Sequence, residues 1–223
     1  MTGLLLLGAT ALAAPPGDLV AQVVAAWEDT TAYCASFVFA VQGQQNLAVN
    51  TGKSCLDRRG RVLTETDGPL GPVVDIRLPG EAWYYDPARP VVVHLVAHQA
   101  TPDPAELAGT GIGEWVAQLA EAPTFNVLPD RSVADRPHWL VSFPARDVQG
   151  EVVLFIDQEH RLPTAVELRQ DGRALLSSGY TELVLNPQLP ESTFRIRPLF
   201  NVPTVEVAWD PTVSPAVAAE GLR

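Results

Sequence analysis

Two cysteines, four histidines and a scatter of carboxylates have the most chemical reach in this chain. Cys34 and Cys55 are its only cysteines. In an exported protein an even count points to one disulfide. Such a bond closes a loop of about 20 residues and contributes roughly 3 kcal/mol on the chain-entropy model. The alternative is a pair of unpaired core thiols. There is no C-x-x-C pair, so thioredoxin-type redox work is not indicated. His94 and His98 lie four apart in a strand-like run, about 13 Å from each other, too far to share one metal with bonds of about 2 Å. No metal site is expected, and no cofactor. Asp157, Glu159, Glu167 and Asp171 fall near turns and read as a solvated rim. Gly109-Thr110-Gly111-Ile112-Gly113 lacks the spacing of a dinucleotide fingerprint and reads as a hinge. G-x-S-x-G, H-E-x-x-H and the P-loop are absent. An enzyme is therefore not expected.

The aromatic residues carry more. Trp83-Tyr84-Tyr85 is stopped by Asp86-Pro87, and Trp115, Trp139, Phe143 and Phe155 lie in other elements. Core packing accounts for most such residues, but several of them together can line an apolar cavity.

The elements that must position these side chains follow from periodicity. Asp18 is a plausible N-cap, and Leu19, Val20, Val23, Val24 and Trp27 recur at helical spacing, which predicts a helix from Asp18 to about Thr30. From Ser36 the period changes: Phe37, Phe39 and Val41 alternate with Val38, Ala40 and Gln42. Further strands are expected at Asn46–Thr51, Arg61–Glu65, Val73–Leu78, Ala82–Tyr85 and Val91–Val96. Thr101 to Gly113 is rich in Pro, Gly and Ala, and a short helix is expected from Gly113 to Ala122. Strands resume at Phe125–Leu128, His138–Phe143, Glu151–Asp157, Thr164–Gln170 and Ala174–Leu183. Asp171-Gly172 gives the strongest hairpin signal. Phe194–Arg197 and Thr204–Trp209 are candidate edge strands. Strands such as Val152-Val153-Leu154-Phe155-Ile156 are apolar at every position, so neither face suits water.

Composition sets the bounds. The 223 residues carry 15 basic and 26 acidic side chains, a net charge of −11. That excludes nucleic acid as a partner, since phosphate contacts need clustered Lys and Arg. It also disfavours anionic lipid head groups. The 47% hydrophobic content suffices for a core, and 20 prolines with 16 glycines favour a turn-rich sheet over a helical bundle. Met1 to Ala14 is apolar and ends in Ala11-Leu12-Ala13, an A-x-A pattern. The expectation is a signal peptide over 1–14, a single α+β domain over 15–209 with a large antiparallel sheet and helices on one face, and a flexible tail over 210–223.

The order of features, from Asp18 to Pro198, resembles the LolA/LolB superfamily of periplasmic lipoprotein carriers. The residues that carry the resemblance are the opening amphipathic helix, Tyr33 and Phe37 leading a strand, and Gly80-Glu81-Ala82-Trp83-Tyr84-Tyr85-Asp86-Pro87. Leu154-Phe155-Ile156-Asp157, Leu162-Pro163, Asp171-Gly172 and Asn186…Phe194…Pro198 follow. The resemblance implies an incomplete, half-open antiparallel β-barrel of about eleven strands wrapped around helices, with an apolar cavity for an acyl chain of a lipoprotein or another lipid. Some relatives instead sense envelope stress and bind regulators. Residues expected to line the cavity are Phe37, Phe39, Val41, Trp83, Tyr85, Trp115, Leu119, Phe143 and Phe155. The expected setting is a periplasmic monomer with an acylated ligand and a delivery partner at the inner or outer membrane. The family's lid-fastening arginine is not aligned with any one of Arg58, Arg59 or Arg61, and the Cys34–Cys55 pair is not a general family feature.

Overall fold

Eleven residues from Ala32 to Gln42 form β1, the strand around which the sheet is organised; the computed structural model describes residues 17–42, 47–97, 111–145, 149–196 and 202–220. The signal segment expected over 1–14, His98 and Gly109-Thr110 lie outside the described residues. Helix α1 (Leu19–Glu28) precedes β1 and buries Leu19 and Val23. Next come β2 (Leu47–Asp57), β3 (Arg61–Thr66), β4 (Val73–Leu78), β5 (Glu81–Asp86) and β6 (Arg89–Ala97). Helix α2 (Ile112–Glu121) leads into β7 (Asn126–Val133), β8 (Arg136–Pro144), β9 (Glu151–Asp157), β10 (Pro163–Gln170) and β11 (Arg173–Leu185). A 3₁₀ turn (Glu191–Phe194), β12 (Thr204–Trp209) and α3 (Pro215–Glu220) complete the chain.

The strands form one open sheet in the order β12-β6-β5-β4-β3-β2-β1-β11-β10-β9-β8-β7. Among the described residues there are twelve strands, where about eleven were expected. All neighbours are antiparallel except one pair, because β12 runs parallel to β6. Between β11 and β12 the 3₁₀ turn packs on β3 and β4, on the β6 side of the sheet's centre. The Asp171-Gly172 hairpin is as expected: both residues have positive φ, 50° and 76°, and the loop is two residues long. Phe194 is not in a strand. Its turn packs on β3 and β4, where the Phe194 ring lies under the Arg61 guanidinium at 4.5 Å.

Register sorts the side chains between two faces. Tyr33, Leu56, Val62, Arg77, Ala82 and Leu95 are linked partner to partner from β1 to β6. On this face Tyr33, Leu56 and Val62 pack with α1 and α2. The same cluster takes Trp139, Val141 and Phe143 from β8, and Val152, Leu154 and Ile156 from β9. At the far end of the face, Ala82 and Leu95 pack with Trp209 and Ala219. The segment expected to fray thus carries α3, with Pro215 and Ala219 buried and the Trp209 indole N–H donating to the Val213 carbonyl at 2.8 Å. The opposite face holds Cys34 and Cys55, directly paired and joined by a disulfide. No helix among the described residues is long and apolar enough to cross a membrane.

Candidate functional site: apolar surfaces on opposite faces of the sheet

Three aromatic rings fix the helix-side face at its centre. Tyr33 and Tyr180 lie 5.9 Å apart between ring centroids, and Trp115 of α2 lies 5.5 Å from Tyr180. The Tyr33 and Tyr180 hydroxyls are hydrogen-bonded to each other, and the Tyr33 oxygen also accepts from the Ile112 backbone N–H at the start of α2. Burial pushes both phenols above their ordinary pKa, so both stay neutral donors and acceptors. Gly111 lies against this pair with φ 85°; a Cβ there would come within 2.9 Å of the Tyr33 oxygen and closer still to that of Tyr180. Glycine therefore supplies both the backbone angle and the room. The sequence signalled a hinge here, but not its tyrosine anchor.

From this centre β1 continues as Phe37, Phe39 and Val41 on the same face. The Phe37 ring lies over Gly52, its partner on β2, at 2.7 Å from where a Cβ would stand. Phe39 is half-buried, while Val41 is exposed. Their neighbours across β11 and β10 include Leu176, opposite Val41, and Leu168, opposite Leu176. This apolar strip leads outward from the covered core along the open sheet.

The nine residues expected to line one cavity divide by register. Phe37, Phe39, Val41 and Phe143 share the helix-side face, and Trp115 and Leu119 of α2 pack onto it. Trp115, Leu119 and Phe143 are buried in that packed core. Trp83, Tyr85 and Phe155 face the other way and cannot line the same cavity. Phe155 packs with Leu140 and Val153. In a strand that is apolar at every position, such as β9, alternation does not say which residues meet the helices.

Trp83 lines a cleft of about 720 Å³ on this opposite face. Its apolar lining includes Leu78, Val92, Phe194, Ile196 and Val202, brought together by β4 to β6 and the connection that carries the 3₁₀ turn. The Trp83 ring stacks on His94 at 3.9 Å with 12° between planes. His94 Nε2 lies 2.7 Å from Glu81, and Nδ1 lies 3.4 Å from Glu206 of β12.

Of the four carboxylates expected as a solvated rim, Glu159 and Asp171 are exposed, whereas Glu167 is half-buried and Asp157 is buried. Asp157 is 1% exposed. It accepts from Arg136 Nε at 2.9 Å, from the Glu159 and His160 backbone N–H groups at 3.0 and 2.8 Å, and lies 3.1 Å from His160 Nδ1. Asp157, Glu159 and His160 present ligand-type atoms within 4.8 Å of one another. The Arg136 guanidinium bridges the two carboxylates, reaching Glu159 at 3.1 Å, so a cation already compensates them. Nearby, His138 Nδ1 meets the Arg136 carbonyl at 2.8 Å and Nε2 meets the Thr164 hydroxyl at 2.9 Å. Burial lowers the His138 pKa. This network ties β8, β9 and β10 together, and its parts are engaged with one another.

No family model matches the chain, and no curated protein matches it in sequence. Solved structures do match. An uncharacterized conserved protein from Thermus thermophilus aligns over 85% of this chain and 98% of its own, with 11% identity and a TM-score of 0.55. MucB aligns over 81% of this chain with 17% identity and a TM-score of 0.51; this chain spans 62% of MucB. A LolA superfamily protein from Nitrosomonas europaea aligns over 82% of this chain and 99% of its own, with 11% identity and a TM-score of 0.38. At such identities the likeness is one of fold. The fold shared with the Thermus thermophilus protein and MucB is an open sheet with its helices gathered on one face.

Proposed function

We propose that this protein is a periplasmic binding protein or carrier that holds an acyl chain of a lipoprotein or lipid against the helix-side face of its sheet. The supporting observation is the strip Phe37, Phe39 and Val41, which shares its face with the buried core yet runs out of it. A saturated chain laid there gains roughly 0.8 kcal/mol for each CH₂ removed from water. The Ala11-Leu12-Ala13 pattern supports export, and the net charge of −11 suits a monomer that must leave anionic membranes. The ligand exchanges with a delivery partner at the inner or outer membrane, without a cofactor.

Native mass spectrometry of the exported protein reports bound lipid and the cleavage site together. Titration with a fluorescent fatty acid measures uptake. Phe39→Asp puts a charge in the strip and is expected to abolish uptake while the far-ultraviolet circular dichroism is kept. Full retention of uptake by folded Phe39→Asp rejects this seat, and a wild-type protein with neither copurified lipid nor uptake rejects the carrier reading.

A second reading is a protein-interaction module of the envelope. It is favoured by the likeness to MucB, a protein solved in complex with MucA(peri). A crosslinked protein partner together with an empty lipid assay selects it.

A further inference from the structure

The cleft on the face opposite the helices is a built cavity that an acyl seat on the other face leaves unused. Its volume of about 720 Å³ falls in the range of small-molecule pockets, roughly 300–1,000 Å³. Trp83, Val92, Leu78 and Ile196 offer it apolar surface. Trp83 is held in orientation by its stack on His94, so part of the ordering cost of binding is already met.

The charges around the cleft decide what it can hold. Arg61 is engaged with Asp57, and these side chains are only 14% and 9% exposed. The Arg61 guanidinium also covers the Phe194 ring. Glu81 is held by His94 at 2.7 Å. Arg195 and Glu191 pair at 3.1 Å, at 71% and 78% exposure, where water already solvates them and a surface pair contributes little. Each charged group in the lining therefore has a partner. An ionic ligand lodged against Trp83 would lose its hydration while Arg61 and Glu81 are already engaged, and the rim pair of Arg195 and Glu191 carries no net charge.

We propose that this cleft binds an uncharged apolar molecule, at a site separate from the acyl seat. The ligand lies between Trp83 and Val202, and Thr204 stands at the lining beside them.

The test uses the full mature chain and two probes of similar size. N-phenylnaphthylamine is neutral, and anilinonaphthalene sulfonate is anionic. Wild-type protein is expected to bind the neutral probe at least about tenfold more tightly than the anionic one. Trp83→Ala removes the platform and is expected to weaken neutral-probe binding about tenfold. Thr204→Trp starts from an exposed β12 residue, so it fills the cleft without disturbing the core, and is expected to have the same effect. Phe39→Asp, on the opposite face, is expected to leave neutral-probe binding intact even though it abolishes fatty-acid uptake. Neutral binding that survives both Trp83→Ala and Thr204→Trp overturns the proposal. So does loss of neutral binding in Phe39→Asp, equal affinity for the two probes, or no neutral binding by the wild type. Failure of fatty-acid uptake alone rejects the acyl seat and leaves the cleft standing.

Discussion

Gly111 is the residue at which backbone geometry and packing meet most tightly. Its φ of 85° already disfavours any side chain, and a Cβ would press on both tyrosine hydroxyls. Gly111→Ala is expected to lower unfolding free energy by about 1–3 kcal/mol, read from the urea midpoint. His138 gives a pH signature. Burial lowers its pKa in the folded chain, whereas the unfolded chain titrates near the ordinary value of about 6.5. Below about pH 6.5 the unfolded state binds a proton that the folded state refuses, so this contribution to stability falls as pH drops towards the folded pKa. Urea midpoints measured at about pH 7.5 and 5.5 are expected to differ less in His138→Gln than in the wild type. The role of His138 was not legible in the sequence, where it reads only as one residue of an apolar strand and its partner Thr164 is 26 positions away.

At the scale of elements, the β1–β2 pair is fastened twice, by its ladder and by the Cys34–Cys55 bond. The bond joins residues 21 apart in sequence that already face each other across the ladder. Replacing both cysteines by alanine is expected to cost up to about 3 kcal/mol, and reductant should then have no further effect on the variant. A midpoint unchanged by both substitution and reductant would show that the ladder alone holds the pair. The sequence announced this disulfide through its even cysteine count. It also announced the β10–β11 hairpin, because Asp171-Gly172 is a local solution to a local turn. It did not announce that β12 pairs parallel with β6, or that Phe194 sits in a turn. Both depend on contacts with strands more than a hundred positions earlier in the chain.

On the whole molecule, α1, α2 and α3 lie on one face of the open sheet, and the 3₁₀ turn packs on the other. The C-terminal segment closes the far end of the helix-side face, where Trp209 is packed with Ala82, Val93, Leu95 and Ala219. Trp209→Ala is expected to lower stability by about 3–5 kcal/mol. It should also raise the fluorescence of an apolar dye as β5 and β6 are uncovered. A loss below about 1 kcal/mol would show the segment to be dispensable.

Periodicity, turn chemistry and composition were enough to place most strands, both longer helices, the hairpin and the general class of large, mostly antiparallel sheet with helices on one face. These depend on neighbours within a few residues, and the hydrophobic pattern carries that information directly. Which face each apolar strand turns to the helices was decided only in the tertiary structure. Phe37 and Phe39 point to the helices' side, while Trp83 and Phe155 point away, although all four sit in similarly apolar strands. The reason is physical: a strand's period of two makes its faces equivalent until a neighbour covers one of them. At Asp157 the same logic holds for charge. A carboxylate beside a turn reads as solvated until the fold brings Arg136, 21 positions away, against it.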